Sequence, residues 1–243
     1  MNPAFLHVEI LRDAAALASR AADWMLEAAL GKEGLVAVAL AGGSTPRATY
    51  ELLRTPSYRE RFPWARTHWF WGDERFVPHD DPRSNCRMVW EALLSRVPAP
   101  AANIHPVPTR NTTPEAAALA YERTLKSFYG AERLDPARPL FDITLLGVGE
   151  DGHMASLFPG VEALKERDHW VAAVTGPQPE PRITLTYPAL ESSRNAAFLV
   201  SGAAKSAIVR RLRAGDVALP AARLTPLGEL CLFADQAAVT SPS

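Results

Sequence analysis

The chain has 243 residues, 47% of them hydrophobic, with 26 basic against 27 acidic side chains and a formal net charge of −1. That is enough apolar material for one sizeable core, so a single domain over residues 1–243 is expected. Near-neutrality supplies no overall basic field for nucleic acid or an anionic membrane, so any anion must be bound locally. Cys86 and Cys231 lie far apart and outside any CxxC pair, which argues against a disulfide framework or zinc cluster and suits a reduced, cytoplasmic protein. The N-terminal segment carries acids and arginines within its apolar pattern, and no stretch reaches about 18 uninterrupted apolar residues, so neither export nor membrane insertion is expected. Oligomeric state has no signature here.

In chain order, Ala14 to Leu30 is alanine-rich, with Leu17, Trp24, Leu26 and Leu30 among small and charged residues, and reads as a helix ending at Gly31. LVAVAL (35–40) has no polar alternation and predicts a strand covered on both faces. AGGSTP (41–46) leads from it into helical ATYELL (48–53). THWFWG (67–72) is the next strand, and WGDERFVP (71–78) sets Asp73, Glu74 and Arg75 at its end. Helical NCRMVWEALLSRV (85–97) and PEAAALAYERTLKSFY (114–129) flank the proline cluster VPAPAANIHPVPTRNTTP (97–114), which reads as a surface connection. FDITLLGV (141–148), HWVAAV (169–174), RITLTY (182–187), NAAFLV (195–200) and ELCLF (229–233) read as strands, and AKSAIVRRLRAG (204–215) as a helix. A second proline cluster, GPQPEPR (176–182), is expected to wall the site. Strands alternating with helices predict an α/β fold with a doubly wound, mainly parallel sheet, helices on both faces, and a ligand site at the carboxyl ends of the strands.

Three strand ends carry polar groups. In AGGSTP two glycines permit a tight turn whose backbone N–H groups point at an anion, while Ser44 and Thr45 add hydroxyls and Pro46 suits a first helical turn. Gly42, Gly43, Ser44 and Thr45 are therefore candidate phosphate ligands, the alternative being an ordinary glycine turn with an N-cap. Neither the GK[ST] of a Walker A loop nor GxGxxG is present, so nucleotide binding is not expected. In WGDERFVP, Arg75 offers a fork for a phosphate or an oxyanion, and Asp73 can orient a hydroxyl or the arginine itself; the alternative is a solvated salt bridge. In GVGEDGHMASLFPG (147–160), the imidazole of His153 can accept a proton from water. Asp151 or Glu150 can fix its tautomer, and a loop with two acids and Gly152 favours chemistry over a structural histidine. The histidines at 7, 68, 79, 105 and 169 show no paired ligand spacing, so no metal is expected. Lys205, in SGAAKSAIV (201–209), opens a helix where its ammonium can reach a phosphate, and Arg182 starts RITLTY.

Taken in order, LAGGSTP, WGDERFVP with SNCRM, FDITLLGVGEDGHMASLFPG, RITLTYPAL and SGAAK closely resemble the 6-phosphogluconolactonase family over residues 8–233. The resemblance implies a Rossmann-like, glucosamine-6-phosphate deaminase-like fold. It also implies hydrolysis of 6-phospho-D-glucono-1,5-lactone to 6-phosphogluconate, the second step of the oxidative pentose phosphate pathway, with no cofactor or metal. It makes His153 the general base and Arg75 a substrate and transition-state contact. Ser44, Thr45 and Lys205 become phosphate-site candidates, with Arg182 a further addition. The related deaminases share GxDGH but continue with an Asn-Glu pair where this chain has Leu157-Phe158. The acid that supports ring opening in them is thus missing, and hydrolysis is expected over deamination or isomerisation. A non-catalytic sugar-phosphate sensor would need an effector or DNA-binding region, for which there is neither a basic segment nor spare length.

Overall fold

Within the residues described by this computed structural model, 6–176 and 178–240, the chain runs β1 (Leu6–Leu11), α1 (Ala14–Leu30), β2 (Val36–Leu40), α2 (Ser44–Leu53), α3 (Pro56–Arg59), β3 (Thr67–Trp71), β4 (Asp73–Arg75), α4 (Asn85–Ala92) and α5 (Pro114–Tyr129). It continues through β5 (Ile143–Leu146), β6 (Val171–Val174), β7 (Arg182–Leu185), α6 (Tyr187–Glu191), β8 (Asn195–Val200), α7 (Ser206–Arg213), β9 (Glu229–Asp235) and α8 (Gln236–Val239). The two ends of the expected 1–243 domain, and Pro177 of GPQPEPR, lie outside the described residues. Local chemistry sets the longer helix boundaries. Asp13 and Thr113 accept the Ala16 and Ala116 N–H groups as N-caps, and Gly130 closes α5 in the left-handed conformation at φ 76°.

Six strands form one sheet in the order β1-β9-β8-β5-β2-β3, and every pair in it is parallel. β2 is buried along its whole length, as a run without a polar face requires. From β2 the chain moves outward to β3, whereas β5, β8 and β9 build in the opposite direction. The order therefore reverses between β2 and β5, and the carboxyl ends of those strands open a crevice at the switch point.

The structure departs from the expected elements at several places. HWVAAV and RITLTY do form strands, β6 and β7, but they join β4 in a separate antiparallel sheet of order β4-β7-β6. Their connection spans only 175–181, too short for the crossover of a dozen or so residues that a parallel pair needs. The acids and arginine of WGDERFVP are not a loop beyond a strand; they are β4 itself. Finally, LHVEIL forms an edge strand, β1, that the sequence reading passed over. The helix expected over 85–97 also breaks early: α4 stops at Ala92 and a 3₁₀ turn, Leu94–Arg96, follows. The proline-rich segment 97–114 does more than connect, because Ile104 bridges to Trp69 and the His105 N–H donates to Trp69 O at 2.9 Å, covering the open edge of β3.

Candidate active site

The chain segments that follow β2, β3, β5 and β8 converge on one cavity of about 270 Å³, lined by Gly42, Gly43, Ser44, Thr45, Asp73, Arg75, His153 and Lys205 among others. The separate sequence candidates thus meet at the switch point. Asp151 and Arg182 stand outside the lining: Asp151 backs His153, and Arg182 sits on β7 opposite Arg75 on β4. Among the described residues, none of GPQPEPR lines this cavity. Instead, Glu180 pairs with Arg83 and Pro181 O accepts the Phe76 N–H at 2.8 Å, so the loop fastens β4 rather than walling the site.

The turn after β2 is shaped from both sides. Gly43, at φ 104°, is the N-cap of α2 and offers no side-chain cap, so the first N–H groups of that helix are left for an outside acceptor. A Cβ on Gly42 would lie 2.1 Å from Asn85 Oδ1; the glycine lets the Asn85 amide close in. The buried Tyr50 hydroxyl donates to Ala41 O at 2.9 Å and accepts the Ala41 N–H at 3.0 Å, fixing the turn's start. Tyr121 does the same for Trp71 at the end of β3, donating to Trp71 O at 3.0 Å and accepting the Trp71 N–H at 2.7 Å. Burial pushes both phenols far above their ordinary pKa. Lys205 sits in the 3₁₀ turn before α7 and forms no ion pair among the described residues. Its turn is held by the buried Asp235, which accepts the Gly202 N–H at 3.0 Å and the Ser201 hydroxyl.

The three charged residues of β4 have separate partners. Glu74 is fully buried and accepts from Arg75 N, Asn85 N and Cys86 N at 2.7 Å and from Ser84 Oγ at 2.9 Å, so it satisfies the start of α4. Burial lifts its pKa against the pull of those four donors. Asp73 orients hydroxyl and amide groups rather than Arg75: Oδ2 accepts from Ser156 Oγ at 2.7 Å and Oδ1 from Asn85 Nδ2 at 3.3 Å. Arg75 Nη1 donates to Arg83 O at 2.6 Å, while its buried Nε and that of Arg182 have no partner among the described residues. Burial, and then the charge of Arg75, hold the pKa of Arg182 below its ordinary value. Two adjacent guanidinium groups with free donors form a strongly anion-seeking region.

In the loop after β5, His153 Nδ1 lies 2.6 Å from Asp151 Oδ1, which also accepts the His153 N–H at 3.1 Å. Burial works to raise the Asp151 pKa, but the His153 backbone and ring bonds outweigh it and leave the carboxyl below its ordinary value. Asp151 is therefore the acid that partners the ring, and Glu150 is exposed. A Cβ on Gly149 would fall 2.0 Å from His153 Nδ1 and 2.6 Å from Asp151 Oδ1, so only glycine admits the pair. Phe158 lies across His153, with ring centroids 4.4 Å apart. Ala155, which lines the cavity, has φ 48°, a conformation that costs an L-residue about 1 kcal/mol or more.

Asn85, Ser156, Tyr50 and Asp235 were not singled out as site residues from the sequence. SNCRM and HMASLFPG contain the first two, but their hydrogen-bond partners are distant in sequence.

The family model described as "Glucosamine-6-phosphate isomerases/6-phosphogluconolactonase" matches residues 12–232. A 6-phosphogluconolactonase of Nostoc sp. is 40% identical, over 95% of this chain and 96% of that protein. One from Mycobacterium tuberculosis is 38% identical, over 88% and 90% respectively. The solved 6-phosphogluconolactonase of Thermotoga maritima superposes with a TM-score of 0.80 and 32% identity, covering 95% of this chain and all of that one. A monomeric glucosamine-6-phosphate deaminase has a TM-score of 0.81 at 23% identity, a likeness of fold. The chain belongs to the glucosamine-6-phosphate isomerase/6-phosphogluconolactonase family.

Proposed function

We propose that the switch-point cavity hydrolyses 6-phospho-D-glucono-1,5-lactone to 6-phospho-D-gluconate, with His153 activating the attacking water. The observation that carries this reading is the 2.6 Å His153–Asp151 pair, whose histidine lines the same cavity as an uncapped helix start and Lys205. An ionised Asp151 accepts the Nδ1 proton, which leaves the Nε2 lone pair free to take a proton from water. Water oxygen bonds to C1, the carbonyl electrons move onto its oxygen, and Arg75 is the cation on hand for that oxyanion. Collapse breaks the bond from C1 to the ring oxygen, and the imidazolium returns its proton to that oxygen. The phosphate is held by the Gly42–Thr45 turn and Lys205, with Arg182 adding positive charge behind Arg75.

Phe158 separates this chemistry from amino-sugar deamination. Its buried ring packs against His153 at the position where the resemblance puts the deaminase glutamate, so an apolar face replaces the acid. The two sheets are joined by the Leu185 N–H donating to Gly72 O at 2.8 Å, which supports the reading of residues 1–243 as one working domain. Placement in the cytoplasm is part of the same reading, supported by the free thiols of Cys86 and Cys231.

The test generates the lactone in situ with a dehydrogenase and follows acid release, with spontaneous hydrolysis subtracted. Acceleration that survives exhaustive chelation is expected; no acceleration, or release of ammonia from glucosamine 6-phosphate instead, would overturn the reading. Gly149→Ala should lower kcat by about 10²-fold at nearly unchanged Tm, because the new methyl displaces a side chain rather than backbone. Wild-type kcat in that variant would show that the ring need not sit on the loop.

A further inference from the structure

The left-handed Ala155 is the second residue of a turn, Met154 to Leu157, closed by the Leu157 N–H donating to Met154 O at 2.9 Å. A positive φ at that position belongs to the primed turns, where glycine is usual. An alanine held there, two residues from His153, needs the surroundings to over-determine it. Met154 and Leu157 are fully buried and anchor the turn's ends. Its polar fastening is Ser156, also fully buried, whose hydroxyl donates to Asp73 Oδ2 at 2.7 Å and whose N–H donates to Thr184 Oγ1 at 3.1 Å. Asp73 and Thr184 are directly opposed partners in the β4–β7 ladder. Ser156 thus sits over one cross-strand pair of the second sheet and is bonded to both of its members.

We infer that Ser156 is a positioning residue that fastens the strained turn to the second sheet, and so sets His153 and the Asp73 carboxylate in register with each other. The second sheet then acts as the rigid base against which the catalytic loop is aligned. Without the hydroxyl, the turn relaxes away from the left-handed conformation and takes the histidine with it. Asp73 loses its closer donor at the same time. The groups proposed to hold the phosphate, in the Gly42–Thr45 turn and at Lys205 before α7, have no bond to Ser156 among the described residues, so substrate affinity is spared.

This inference rests on the lactonase reading, and wild-type protein assayed alongside keeps the two apart: an inactive wild type fails that reading, an active one isolates this inference. Ser156→Ala should lower kcat by between about 10- and 100-fold with KM within about twofold. Adding Ala155→Gly to Ser156→Ala should recover a large part of the lost kcat, since glycine holds a positive φ without fastening. A uniform loss of folding could not produce that rescue together with an unchanged KM. If Ser156→Ala does not fold, Thr184→Val removes the other fastening and should give the same split between kcat and KM. A kcat within threefold of wild type in the folded variant, a loss carried by KM, or no rescue in the double variant would each overturn the inference.

Discussion

His153→Ala should lower kcat by about 10² to 10⁴-fold, the range by which a positioned general base speeds proton transfer, while KM changes little. The split follows from the architecture. The groups proposed to hold the phosphate lie after β2 and β8, whereas His153 lies after β5, so deleting the ring removes an interaction made in the transition state and spares ground-state binding. Asp151→Asn should fall between the variant and wild type. It keeps the side-chain shape but replaces an obligate acceptor with a group that can also donate, so the ring tautomer is no longer fixed. The pH dependence has a definite sign. Asp151 is held below its ordinary pKa, so its partnership with the ring persists as pH falls through the ordinary carboxylate range, and the loss of kcat/KM on its account comes only at lower pH. Stopped assays corrected for spontaneous hydrolysis, on variants with wild-type thermal unfolding, measure all three. An unchanged kcat in folded His153→Ala would remove the base assignment.

The elements were legible wherever local chemistry decides them. α1 and α5 begin and end where Asp13, Thr113 and Gly130 place them, and β2 is buried on both faces as its composition requires. Sheet membership was less visible, because HWVAAV and RITLTY have the same short apolar character as the parallel strands. What separates them is the seven-residue span 175–181 between β6 and β7, a length signal that apolar periodicity does not carry. β1 escaped because it lacks a clean buried face: Ile10 is 47% exposed, while Glu9 is tied to Arg20 at 2.8 and 2.9 Å.

The site followed the same division. His153, Arg75 and the glycine turn were legible because their chemistry lies in the side chains or in two adjacent glycines. The supports were not, since each acts across a long stretch of chain: Ser156 on Asp73, Asn85 against Gly42, Asp235 on the Lys205 turn. A buried polar side chain finds its partner in three dimensions, and neither residue type nor local spacing records which one. Asp73 shows the limit well. The sequence left it to orient a hydroxyl or Arg75, and although Asp73 and Arg75 share a face of β4, the carboxylate is taken up by Ser156 and Asn85.

Glucono-1,5-lactone without its phosphate should be a poor substrate, with kcat/KM lower by about 10³-fold or more. Each hydrogen bond to a charged group contributes roughly 1.5–3 kcal/mol, and every 1.4 kcal/mol or so is tenfold, so losing two such contacts reaches that figure. Part of the loss should appear in kcat, because remote binding energy is what holds the lactone carbonyl near His153. Lys205→Ala should raise KM for the phosphorylated lactone by about tenfold and leave the unphosphorylated one nearly unaffected, since only the former presents the charge that the ammonium meets. The variant should also lose part of the salt sensitivity of KM, because a partly exposed charge pair is screened by ions. Asp235→Asn provides the structural control: it loosens the turn before α7 and should weaken phosphate binding with the ammonium still present. Equal losses on both substrates in Lys205→Ala would assign Lys205 to the start of α7, leaving the phosphate to the Gly42–Thr45 turn and the two arginines.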